Sequence, residues 1–318
     1  METVKVFVYD SLVRMTPTAH LPSLEFKSDE AFTDFLALDS QPFIQEYIRI
    51  QLLLDKHWTH RKNAALSDSA MLEIEKILNR LGDLHPYLLL YADHIAWLII
   101  DHYQGGITEE ALKLPPKEAM RETIETMQKE TLVIFIPCFD VDFHDGRELS
   151  PLQRYVELTE QTGKQAIPVR QNVMRIEKED GSIDYDFAEI VEPQDIFTLL
   201  DYFVLNFLKR GLQFKKCKNC GKYFLLTANY KVEYCLRLFE DTGKTCREIG
   251  ASHTYLKKNK DNPIMQAYQK AYKRNFARIK YGKITKEAFE MWSEQAREMR
   301  DQALKGNISL EEFEQSLR

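Results

Sequence analysis

A chain of 318 residues with 44% hydrophobic and 29% charged side chains has room for one large core or two ordinary ones, and suits a globular protein of aqueous surroundings. Its longest apolar run, PYLLLYADHIAWLII, is broken by Asp93 and His94, which excludes a bilayer-spanning helix there, and METVKVFVYD lacks the pattern of a secretory signal. The net charge of −6 conceals a division: −17 over residues 1–208, +13 over 209–280 and −2 over 281–318.

A short alternating strand is expected at 3–9. Apolar residues at three- and four-residue spacing predict helices over 42–56 and 66–81, and a more fully buried helix over 86–103. ITEEALK at 107–113 begins another, with Thr108 as N-cap and Ile107 stapled against Leu112. Pro115 and Pro116 restart the chain into a helix at 117–128, and LVIFIP at 132–137 reads as a buried strand. Residues 168–190 form a hairpin turning at EDGS. A core helix is then bounded by Pro193, at a first helical position, and Gly211, just past its last turn.

Asp261-Asn262-Pro263 opens a helix reaching Lys280, with Met265, Tyr268, Tyr272, Phe276 and Ile279 on its apolar face and Lys270, Lys273, Arg274 and Arg278 opposite. GKITKEAFE (282–290) and GNISLEEFE (306–314) repeat one helix-start signal. Thr285 and Ser309 are N-caps, Ile284 and Ile308 staple against Phe289 and Phe313, and helix breaks are expected near Gly282 and Gly306. The fold class is α+β, predominantly helical, in three parts: an acidic mixed domain over 1–211, a finger over 212–255, and a basic helix with a helical tail over 256–318.

Four of the five cysteines, Cys217, Cys220, Cys235 and Cys246, fall within thirty residues as C-x2-C-x14-C-x10-C. A Cys-x-x-Cys turn aims two thiolates at one point, and a second pair can complete a tetrahedral zinc site. Gly221 supplies the positive φ such a turn needs. The alternatives are a disulfide pair or unrelated buried thiols; a cytoplasmic, reducing compartment weighs against the first. His253 could stand in for Cys246. Four thiolates close the coordination sphere, so the one Zn2+ expected per chain is structural and no catalytic residue is assigned to it.

CKNCGKYF, over Cys217 to Phe224, resembles the first half of CGNR-type zinc fingers, of treble-clef or ribbon form, in which a later cysteine pair begins a helix. YCLRLFEDTGKTCREIG also resembles the C-terminal finger of an uncharacterised bacterial family often carried on mobile elements. The second pair is six residues wider than in CGNR fingers, and Arg247-Glu248-Ile249 replaces Gly-Asn-Arg. Over these forty or so residues the resemblance implies DNA-binding regulation.

Positive charge concentrated around a zinc site is the footprint of a polyanion binder. The residues expected to contact phosphates are Lys215, Lys216, Lys218, Lys222, Lys231, Arg247, Lys257, Lys258, Arg274 and Arg278, and Tyr230 and Tyr255 are the aromatic candidates for stacking. Nucleic acid is thus the expected partner, DNA favoured, with no membrane. Docking of the basic segment on the acidic domain is the alternative use of this charge. Two other functions compete. Asp140, Asp142 and Asp145, with His144, would follow the strand at 132–137 and could hold the divalent metal of a nuclease. A zinc-stabilised adaptor for proteins is the third. His57 and His60, or His94 and His102, are better read as ordinary histidines, and Cys138 as a small buried side chain.

Overall fold

The computed structural model describes residues 4–60, 66–103, 111–160, 167–177, 182–227, 231–258 and 262–317. The architecture is α+β and predominantly helical. The chain divides into two compact units, one of Met1–Cys217 with Gly221–Glu233 and one of Lys218–Cys220 with Tyr234–Arg318.

The first unit is built on a five-stranded antiparallel sheet of order β3-β2-β1-β5-β4. Its strands are β1 (Lys5–Tyr9), β2 (Leu12–Thr16), β3 (Leu24–Lys27), β4 (Val169–Glu177) and β5 (Ile183–Val191). Period-two alternation puts Val6, Val8, Val13, Met15 and Val191 on one face, and all five are buried. The helices are α1 (Ser28–Phe35), α2 (Gln41–His60), α3 (Asp68–Leu84), α4 (Leu89–Tyr103), α5 (Lys117–Phe139), α6 (Pro151–Thr159) and α7 (Ile196–Arg210). Rings from several of them meet in one cluster. Phe32 and Phe207 lie 5.1 Å apart, Phe135 and Phe139 5.2 Å, and Phe207 and Phe214 5.4 Å. Asp93 is buried within α4, where its carboxylate accepts from the backbone N–H of Thr18 and Ala19 and from the Thr18 hydroxyl. His57 is also buried, edge-on to Tyr103.

Several expectations need correction. LVIFIP is the end of α5 and not a strand. Helical spacing of buried residues runs unbroken through Met120, Ile124, Met127, Thr131, Ile134, Phe135 and Cys138. A short apolar run alone does not separate strand from helix, and here the upstream register decides. Pro137 is accommodated because Val133, four residues back, lies on the solvent side, where a released carbonyl can bind water. Residues 111–116 are not helical, and Ile107, Thr108 and the hairpin turn lie outside the described residues. The cap of α7 is Asp195, whose carboxylate accepts from Thr198 N–H at 2.7 Å, so Pro193 precedes the helix. Gly211 ends it at φ 63°.

The second unit contains α8 (Cys246–Lys258), α9 (Pro263–Lys280), α10 (Lys286–Leu304) and α11 (Leu310–Ser316). Asn262, Thr285 and Ser309 cap α9, α10 and α11, and Ser309 and Glu312 close a reciprocal capping box. Gly282 and Gly306 sit at positive φ between these helices. The buried stripe of α9 is rotated from the expected one: Met265, Ala271 and Asn275 are buried, while Phe276 is 60% exposed. Small residues let helices approach closely, which moves the aromatic rings to the flank of the contact. Arg274 is exposed, as expected, and donates to the Leu317 carbonyl at 2.5 Å.

Candidate metal centre

The site begins at two short antiparallel strands, β6 (Phe214–Lys216) and β7 (Tyr223–Leu225). Between them the chain reverses over Cys217 to Lys222. Cys217 N–H donates to the Lys222 carbonyl and Gly221 N–H to the Cys217 carbonyl, both at 2.9 Å. Gly221 takes φ 77°, a conformation in which a side chain would be strained. The second half is built separately. Leu238 bridges Thr245, Gly243 turns at φ 64°, and Cys246 is the first residue of α8. Thr245 and Glu248 bind each other reciprocally there, the Thr245 N–H reaching Glu248 Oε2 at 2.7 Å. Helix start and ligand position are thus set by the same residues.

The Sγ atoms of Cys217, Cys220, Cys235 and Cys246 all lie within 4.8 Å of one another, and all but Cys220 are buried. None is in a disulfide. The Sγ atoms of Cys220 and Cys235 are 3.7 Å apart. Four thiolates about 2.3 Å from a tetrahedral ion would be separated by about 3.8 Å, so the donor set suits a thiophilic metal. Among the described residues, these four cysteines form the cluster able to hold an ion.

Two neighbours were not singled out from the sequence. Asn219, between the first two cysteines, points its amide N–H at Cys246 Sγ at 3.3 Å. Its carbonyl meets His253 Nδ1 at 2.8 Å. His253 therefore does not replace Cys246; it orients the amide that touches Cys246. Only folding brings these residues together, and nothing in K-N-C marks them. The other neighbour is Gly250 of α8. A methyl there would overlap Cδ1 of the Tyr234 ring and lie 2.6–2.7 Å from two further ring carbons, beside Cys235. Gly250→Ala is expected to cost roughly 1–3 kcal/mol by overpacking and to weaken metal retention, read as earlier release to a chelator in a competition titration.

The basic residues are dispersed in role. Lys215 pairs with Asp142 at 3.5 Å and Lys222 with Asp34 at 3.1 Å. Lys216 lies over the Tyr223 ring at 6.0 Å. Lys216, Lys218, Lys231 and Arg247 are exposed. Arg278 is exposed too and donates to Asn275 at 3.0 Å. Lys257 and Lys258 belong to α8, but their side chains, with Tyr230 and the Tyr255 ring, lie outside the described residues.

The acidic segment follows the end of helix α5 and not a strand at 132–137. Asp140 accepts from the Tyr223 hydroxyl at 3.0 Å, and Asp142 has Lys215. Asp145 accepts from Arg154 at 2.6 and 3.0 Å and from Arg147 at 2.9 Å. Arg154 holds the Asp145 carboxyl well below the usual carboxylate range. The carboxylates thus have partners that the nuclease reading did not foresee. Cys138 is buried, and burial pushes its thiol up to about 11, which suits packing and not nucleophilic work.

Residues 164–318 match a family of unknown function (DUF6076). The DUF6076 match therefore takes in the β4–β5 hairpin, α7, all four clustered cysteines and every helix after them. No curated protein and no solved structure matches the chain. Among the described residues no helix is long and apolar enough to cross a membrane.

Proposed function

We propose that this chain is a zinc-stabilised nucleic-acid-binding protein. The carrying observation is the coincidence of a closed four-cysteine cluster with a segment of net charge +13 over residues 209–280. Zinc is the metal that four thiolates in a reducing compartment favour, and it does no chemistry there. DNA is preferred over RNA on the resemblance of the first cysteine turn to CGNR fingers. Because Lys215 and Lys222 already pair with carboxylates, phosphate contact falls first to the exposed Lys216 and Arg247, with Arg278 of α9.

Metal analysis of protein purified without chelator should find one zinc per chain. Duplex binding followed by fluorescence anisotropy should weaken with salt, log affinity falling by about 0.9 per phosphate contact for each unit of log salt. Lys216→Ala with Arg247→Ala should reduce that slope by roughly two while leaving the melting curve unchanged. Absence of binding to duplex and single strand alike at low salt would refute the reading.

A further inference from the structure

We propose that α9 and α10 carry a stacking platform for single-stranded nucleic acid, centred on Phe276. This rests on the nucleic-acid reading above and specifies the strandedness of the ligand. Phe276 is 60% exposed although it belongs to an aromatic cluster. Its ring is nearly parallel to that of Tyr272, with 6° between planes and centroids 6.4 Å apart. Buried Phe289 of α10 meets both rings edge-on, at 5.7 Å from Phe276 and 5.2 Å from Tyr272. Trp292 continues the cluster 5.9 Å from Phe289. The exposed ring is therefore held in place from behind, which lowers the entropy lost when a flat partner settles on it.

Charge selects the partner. Lys273 and Lys280 stand three residues before and four after Phe276, on the same side of α9, and both are exposed. Across its whole length α9 has five basic residues and no acidic one. α10 is mixed, with five acidic and three basic residues, so the uniform positive charge of this surface is that of α9. A polyanion that also offers apolar faces would meet both features at once: its bases stack on the ring while its phosphates approach the lysines. Bases in a duplex keep their faces against one another, so an intact double helix uses only the charges. An unpaired strand uses the ring as well.

The test uses the full chain and labelled oligothymidylate, with a duplex of equal length as comparison. Wild-type protein should bind the single strand more tightly than the duplex. Phe276→Ala should weaken single-strand binding about five- to hundredfold, the range for loss of one base–aromatic stack, and leave duplex binding unchanged. Phe276→Tyr should retain the affinity. Phe276→Leu, which keeps apolar cover, should lose it and serves if the alanine variant melts early. Lys273→Ala with Lys280→Ala should reduce the single-strand salt slope by roughly 1.4.

Equal affinity of Phe276→Ala and wild type for the single strand would overturn the platform, as would preference for duplex. If duplex binding still responded to Lys216 and Arg247, the broader reading would survive that result. If neither oligonucleotide bound, both would fall. Phe276-dependent binding to anionic lipid vesicles without any effect on oligonucleotides would also overturn the platform and assign the surface to a membrane.

Discussion

Chelation, or Cys235→Ser, should unfold the turn-and-helix structure around the four cysteines if they hold zinc as proposed above. Zinc sites of this size contribute roughly 10–16 kcal/mol to local folding, far more than a small segment stores in its packing. Hydrogen bonds of the first turn and the Thr245–Glu248 box cannot replace it, since each contributes about 1 kcal/mol net. Hydrogen exchange should show amides from Cys217 to Gly250 losing protection on chelation. The sheet strands β1 and β2, with their buried valines, should keep theirs. Protection unchanged after verified metal removal would show that the cysteines are packing residues.

Acid should destabilise the first unit through His85. This residue is 4% exposed, and burial pushes its pKa down to about 4 from an ordinary 6.5. The geometry agrees. Nδ1 accepts the Tyr87 backbone N–H at 3.1 Å, so Nε2 carries the proton and donates to the Ala31 carbonyl at 3.0 Å. A second proton would have to point at an N–H. The unfolded chain binds that proton near pH 6.5 and the folded one only near 4, so between these values the unfolded state holds more protons. The stabilisation is complete above about 6.5 and is lost as pH falls toward 4, amounting to about 3 kcal/mol. Urea melts of wild type and His85→Gln at several pH values should converge across this window. Parallel pH dependence in the two proteins would contradict the assignment.

Both sites differ in how far the sequence announced them. The cysteine cluster and Gly221 were legible because a Cys-x-x-Cys-Gly turn fixes residue type and spacing locally, and the caps Asn262, Thr285 and Ser309 because a helix start is a short-range device. His85 was not, because its neutral state comes from burial among elements that only folding brings together, Ala31 lying more than fifty residues away. Asn219 and His253 are likewise joined only after the chain has folded. The end of α5 was misread because a six-residue apolar run is ambiguous until its phase is followed back to Met120. The exposure of Phe276 is not contained in the periodicity of α9, which puts it on the same face as buried Met265.

The ring cluster of the first unit has a consequence for dissecting the chain. Phe214 is fully buried, and it touches Phe135 and Phe139 of α5 as well as Phe207 of α7. Tyr223, across the cysteine turn, also packs on Phe135. A fragment beginning at residue 164, where the family match starts, keeps Phe207, Phe214 and Tyr223 but loses Phe32, Phe135 and Phe139. One beginning at residue 212 loses Phe207 too. Either cut severs a hydrophobic core without removing its inner wall, leaving aromatic surface bare beside the cysteines. Truncated forms should therefore cling to themselves or to chaperones, and their affinities would report that stickiness before they reported recognition.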